Sequence, residues 1–293
     1  IALARMILPL DVHIQAPPNL SDDFGYLLDA GVSDWGGVSP VTADHVNPER
    51  PWPDLDRLRD VTEAKGHTLA PRLTIHPAFA CEPERWLDPA LHFPVADRSE
   101  SDGYARDDAG SVWPERTMER AKVDDGAEFE LTGTISSQWY VGTGADPESL
   151  IPGEPFATGA VREVLDGVRA GQDVGFDEIL TLFRARGREV AAVAQVADEL
   201  RQEIVGDLVT WVANRNINYT NVCTFKCRFC GFSKGPLSLN LRGTPYLLEL
   251  EDIADRTIEA AEAGATEVCL QGGIHPAYDG NTYLDITKQL KHI

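Results

Sequence analysis

NRNINYTNVCTFKCRFCGFSKG, residues 214–235, decides the reading of this chain. Its front part, NINYTNVC, is rich in strand-forming residues. Cys223, Cys227 and Cys230 then follow at C-x3-C-x2-C spacing. Each thiolate of such a set can hold one corner iron of an iron–sulfur cluster. No fourth cysteine is close. Cys269 falls in TEVCLQGG (266–273), which reads as a strand, where a buried small hydrophobe explains it. Cys81 lies far upstream. A [4Fe–4S] cubane held by three protein ligands leaves one iron open, free to chelate the amino and carboxylate groups of a small molecule.

Outward from that run the pattern is α/β. Downstream, Glu251 to Ala263 carries Ile253, Ile258 and Ala261 on one face and stops at Gly264, as a helix should. Strand, cysteine loop, helix, strand and Gly-Gly is the opening order of a β/α barrel. Upstream, FDEILTLFRARG (176–187) predicts a short helix and Arg188 to Val205 a longer one. Nearer the N-terminus, LDVHIQAPPNL (10–20) reads as a strand ending at Pro17-Pro18, VSDWGGVSPVT (32–42) as a second strand and loop, and TLAPRLTIHP (68–77) as a strand. Helices are expected over DDFGYLLDAG (22–31), behind a Ser21 cap, and from Asp54 to Ala64.

Between these regions residues 97–130 hold 11 Asp/Glu against 5 Lys/Arg, which predicts a solvated linker or surface excursion. Pro and Gly from Gly142 to Gly159 continue it. The chain has 293 residues and a formal net charge of −21. Such acidity argues against a nucleic-acid partner, which needs a basic surface. No apolar run approaches the ~20 residues of a membrane span, and no signal peptide is legible. Five cysteines, three of them clustered, suit metal or redox chemistry in the cytoplasm better than a disulfide framework.

The triad, with aromatic Phe229 just before its last cysteine, resembles the signature of the radical S-adenosylmethionine (SAM) superfamily. The resemblance implies a [4Fe–4S] cluster on Cys223, Cys227 and Cys230, SAM on its open iron, and Phe229 against the adenine. Gly272 and Gly273 resemble the superfamily's GGE motif, whose backbone meets the methionyl amine, but Ile274 stands where Glu is common. The competing reading is a zinc-stabilised module without catalysis. Zinc usually takes four ligands, and His275 is available as a fourth. Tyr219 either contacts the cofactor or packs. Asn214, Arg215 and Asn216 either cap the preceding helix or line the site.

The run 214–235, with QGGIHP downstream, resembles the tyrosine-using half of the FO synthase family. APPNLSDDFGYLLDAGVSDWGGVSPVTADHVNPERPWP (16–53) resembles the end of that family's other, cyclising half. Both in this order resemble the fused enzymes of actinobacteria. The resemblance implies parts of two barrels of TIM-barrel type: residues 1–95 from the upstream barrel, 96–155 a linker, and 156–293 the start of the downstream barrel. It also implies a reaction. A 5′-deoxyadenosyl radical attacks L-tyrosine, a hydroxybenzyl fragment joins 5-amino-6-(D-ribitylamino)uracil, and the product closes to the deazaflavin of coenzyme F-420. An external one-electron donor is required. Relatives in the futalosine pathway to menaquinone share similar motifs, but DWGGVSPVT upstream argues against them. Only 63 residues follow Cys230, whereas a barrel takes about 250. The expectation is therefore an incomplete part of each half.

Overall fold

In the computed structural model, residues 1–9, 11–21, 23–39, 52–106, 154–225, 227, 230, 232–233, 245–291 and 293 are described. In chain order they form α1 (Ala2–Ile7), α2 (Gly25–Leu28), β1 (Asp34–Val38), α3 (Leu55–Ala64) and β2 (Thr68–Pro71). Three helices follow, α4 (Pro77–Ala80), α5 (Pro83–Trp86) and α6 (Pro89–Arg98). Then come α7 (Gly159–Arg169), α8 (Phe176–Phe183), α9 (Arg188–Val205), β3 (Leu208–Thr220), α10 (Leu250–Glu262), β4 (Glu267–Gly272) and α11 (Gly280–Leu290). The sheet runs β1-β3-β2, and β4 pairs with β3 in parallel. A parallel pair joined through a helix is the βαβ unit of α/β proteins, so the fold class is α/β. No helix among the described residues is long and apolar enough to cross a membrane.

Most expected elements form where the periodicity places them. The expected helix 188–205 and the expected strand in TEVCLQGG are found. LDVHIQAPPNL differs. Its described residues make one isolated bridge, Gln15 to Asp34, and a 3-10 turn at Pro18–Leu20. Pro17 and Pro18 have no N–H to give a ladder, so the strand ends at its first pairing. The helix expected over 22–31 shrinks to the single turn α2. The start of the acidic stretch is ordered: Ser99 bridges to Ala105, and Gly103, at φ +85, lies against Pro77. Residues 107–153 lie outside the described residues.

The chain divides into two compact units. One holds the described residues of Ile1–Gly36, Asp56–Leu69 and Gly133–Thr210. Its core joins Met6 of α1 with Val161, Leu165 and Val168 of α7, Leu182 of α8, and Val193, Val196 and Ala197 of α9. Phe24 meets Trp35 edge-on at 5.4 Å, and the Trp35 indole donates to Thr62 Oγ1 at 3.1 Å. The buried Arg5 guanidinium donates to the carbonyls of Val12 and Gly31 and to Ser33 Oγ. The DWGG run therefore builds core here; the residues after Ser39 up to 51 lie outside the described residues.

The other unit holds the described residues of Gly37–Leu55, Ala70–Thr132 and Trp211–Ile293. Ile217 and Tyr219 of β3 meet Ile253 of α10 and Ile286 of α11, with Val268 and Leu270 of β4 beside them. One face of β3 and β4 is thus covered by helices, and the alternation of strand side chains sends the intervening residues to the opposite face.

Candidate active site

β3 ends at Thr220, and the cysteine loop begins three residues later. Active sites of parallel α/β folds gather at this C-terminal end of the strands. Cys223 and Cys230 are half-buried, Cys227 is exposed, and all three are free thiols. The Cys230 N–H donates to the Cys227 carbonyl at 3.2 Å, which turns the last two cysteines back toward each other. Phe229 lies outside the described residues.

The loop is tied to the end of β4. Gly273 N–H donates to Thr220 O at 2.8 Å. Thr224 gives its N–H (2.9 Å) and its hydroxyl (3.2 Å) to Ile274 O. A Cβ on Gly273 would fall on the Val222 carbonyl and lie 2.9 Å from Cys223 Cβ, and one on Gly272 would strike the Tyr219 ring. Neither position has room for a Cβ, because the β4 end lies against the Val222 carbonyl and Cys223 Cβ at Gly273 and against the Tyr219 ring at Gly272.

Tyr219 packs. It stacks on Tyr278 at 6.1 Å between centroids, and its hydroxyl is bonded to Tyr283. Burial first, then Tyr283, pushes its pKa up to about 12, so it is a neutral phenol at physiological pH. His275 is occupied locally: its Nδ1 accepts the Ala277 N–H at 3.2 Å, and its ring lies 5.0 Å from Tyr278.

The opposite face of β3 and β4 is polar. The register pairs Asn214 with Glu267, Asn216 with Cys269, and Asn218 with Gln271. Asn214 Nδ2 donates to Glu267 Oε1, and Asn216 Nδ2 reaches Gln271 Oε1 at 3.4 Å. Asn216 Oδ1 and both side-chain polar atoms of Asn218 are buried with no partner among the described residues. Arg215 points the other way and pairs with Glu259 at 2.8 Å. Cys269, expected as a buried small hydrophobe, is half-buried on this polar face, 3.7 Å from Gln271 Nε2. Burial raises its thiol pKa. Sequence reasoning left Asn214 and Asn216 undecided and passed over Asn218 and Gln271. Polar residues at 214, 216 and 218, alternating with Ile217 and Tyr219, were the available signal.

Three free thiols on one loop fit an iron–sulfur cluster by the chemistry of the donor set. Among the described residues no three His, Cys, Asp or Glu side chains converge on a single metal ion. A cubane differs from a single ion here, because its ligands hold separate corner irons and stand apart.

Residues 217–293 match the profile of the Radical SAM superfamily. Over 99% of its length the chain is 39% identical to the FO synthase of Streptomyces coelicolor and covers 35% of that protein. It is 40% identical, again over 99% of its length, to the FO synthase of Mycobacterium tuberculosis, of which it covers 36%. Over 42% of the chain it is 39% identical to the 5-amino-6-(D-ribitylamino)uracil–L-tyrosine 4-hydroxyphenyl transferase of Methanosphaerula palustris, of which it covers 33%. No solved structure matches. With the cysteine loop at the end of its strand and relatives aligned along nearly its whole length, the chain matches a fragment of FO synthase that carries the start of a Radical SAM domain, spanning about 35% of the length of the relatives it matches.

Proposed function

We propose that this chain contributes the cluster-bearing start of a radical SAM barrel to the synthesis of the deazaflavin FO from L-tyrosine and 5-amino-6-(D-ribitylamino)uracil. Residues 156–293 begin the tyrosine-using half, residues 1–95 end the cyclising half, and 96–155 join them. One observation carries the reading: three free thiols at the end of β3, held against the β4 loop by Gly273 and Thr224. Relatives that act as FO synthases align over 99% of the chain, and the transferase relative supports the tyrosine and ribitylaminouracil assignment.

Cys223, Cys227 and Cys230 would hold a [4Fe–4S] cluster. When bound, the cluster supplies the electron, drawn from an external donor, that splits SAM into methionine and a 5′-deoxyadenosyl radical. The chain's own part is positional. The bonds from Thr224 to Ile274 and from Gly273 to Thr220 fix where Cys223 sits. Gly272 and Gly273 keep backbone at the loop's edge, open to the methionyl group, with Phe229 assigned to the adenine. Tyr219, neutral and packed, holds that edge in place. Five free cysteines suit the reducing cytoplasm.

The test is anaerobic reconstitution of the full-length protein, followed by iron and sulfide analysis. Cleavage of SAM is then assayed with L-tyrosine. We expect loop-bound iron that is lost when Cys223, Cys227 and Cys230 are each replaced by Ser, and is kept in Cys269→Ala. A colourless, zinc-loaded protein, or iron retained in all three Ser variants, would overturn the proposal.

A further inference from the structure

Asn218 is buried on the last stretch of β3 before the cysteine loop, 3% exposed, and neither its Oδ1 nor its Nδ2 has a partner among the described residues. Buried side-chain amides are almost always bonded, because nothing inside the protein replaces the water they lose. Two residues back, on the same face, Asn216 Oδ1 is also buried and has no partner among the described residues. Gln271, the in-register partner of Asn218 on β4, completes the row. Three carboxamides therefore line the face opposite the helices, at the strand ends where parallel α/β folds bind ligands.

The row also has a chemical preference. A carboxamide offers one acceptor and two donors in a plane. Because both heavy atoms of Asn218 lack partners, either orientation of its amide is open. Its complement is an edge carrying N–H beside C=O, which meets it with two parallel hydrogen bonds. A carboxylate would call for a cation, yet β3 and β4 hold only Arg215, which faces the helices and pairs with Glu259. Glu267 on the polar face makes that side less welcoming still to an anion.

We infer that Asn218 is a substrate-binding residue that reads the imide edge of a pyrimidinedione ring, with Asn216 Oδ1 accepting a neighbouring N–H. The inference rests on the function proposed above and extends it, assigning the uracil, and not the amino acid, to the face of β3.

The experiment uses the reconstituted full-length enzyme, with Asn218→Asp and Asn218→Leu. Asp keeps the shape and removes the donors; Leu keeps the bulk and removes all polarity. Binding of 5-amino-6-(D-ribitylamino)uracil is measured by equilibrium dialysis, and KM for L-tyrosine and iron content are measured alongside. Both variants should bind the uracil about 10- to 100-fold more weakly, the loss expected when a buried hydrogen-bonding pair is broken. KM for tyrosine should stay within about twofold, because its binding does not use the amide. Iron content should not change. The Leu variant should unfold at or above the wild-type temperature, since it removes two unpaired buried atoms.

Unchanged uracil affinity in both variants overturns the assignment. So does a rise in tyrosine KM without a loss of uracil binding, or a Leu variant that unfolds well below wild type. Failure of the wild-type enzyme to release 5′-deoxyadenosine instead sinks the proposed function itself. A wild type that cleaves SAM while the variants bind normally sinks only the role of Asn218.

Discussion

Two polar neighbourhoods of this chain are both buried and differently satisfied. Around β1, Asp34 is fully buried; its Oδ1 accepts the Gly36 N–H at 2.6 Å and its Oδ2 accepts the Thr210 hydroxyl at 2.5 Å. Arg5, also buried, donates to two carbonyls and a hydroxyl. On the polar face of β3, Asn216 and Asn218 are also buried, yet three of their four side-chain polar atoms have no partner among the described residues. Burial alone does not separate structure from function. A polar group answered inside the chain holds the fold, and one left unanswered at a strand end is addressed to something outside it.

The hardest blow to that distinction would fall on β1. Trp35 is fully buried against Phe24 and bonded to Thr62. Trp35→Ala should lower the local opening free energy around β1 and α3 by about 3–5 kcal/mol, through lost burial and the cavity left behind. Hydrogen exchange of the β1 and α3 amides in the full-length protein reads this directly. A loss below about 1 kcal/mol would mean that Trp35 is not core. Thr210→Val comes next. It strips Asp34 Oδ2 of its hydroxyl donor and should cost about 1–3 kcal/mol by the same measurement. Set beside it, Asn218→Leu should cost nothing. Equal losses from both would collapse the contrast between the two neighbourhoods.

His67 tests the boundary case. It is buried in the unit that holds β1, and its Nδ1 has no partner among the described residues. Burial, then Arg201, holds its pKa below the ordinary histidine value, against smaller opposing effects of Asp198, Asp207 and Asp29. The folded state therefore keeps the ring neutral, and a neutral ring tolerates one unpaired nitrogen better than a charged one. The contribution is fully present above the unfolded pKa near ~6.5 and is lost as pH falls through the lower folded value. Exchange around β2 should speed up on acidification below about pH 6.5, and His67→Gln should flatten that dependence. A pH dependence unchanged in the variant would assign it to other groups.

Much of this was legible in the sequence, for identifiable reasons. Arg188–Val205 and Glu267–Gly272 carry clean periodicity and clear stops, and both form. The cysteine spacing is a local signal and needs no tertiary context. LDVHIQAPPNL, expected as a strand up to Pro17-Pro18, makes only one bridge, because alternation marks which side chains are buried, as Ile14 and Ala16 are, but not how far a partner strand pairs. The glycine pair was found for freedom from a Cβ, but its contacts with Val222, Cys223 and Tyr219 were not legible, because they depend on strand register across β3 and β4. Asn218 was missed for the same reason: an asparagine in a strand is unremarkable until the register shows what stands opposite it.

The smallest effect expected sharpens the comparison from the other side. Arg169 and Glu199 form a two-pronged pair, at 2.7 and 3.0 Å, with side chains 43% and 40% exposed. Their hydrogen bond raises the Arg169 pKa and lowers that of Glu199. By partner count this pair is as well satisfied as Asp34. Water, however, competes for both groups, and salt screens them. A double-mutant cycle with Arg169→Ala and Glu199→Ala should give a coupling of only about 0.5 kcal/mol, smaller still in ~1 M salt. If the coupling instead exceeded about 2 kcal/mol, partner number would outweigh exclusion of water. The unpaired amides of β3 would then lose the argument that sets them apart, because it depends on dryness making each missing bond matter.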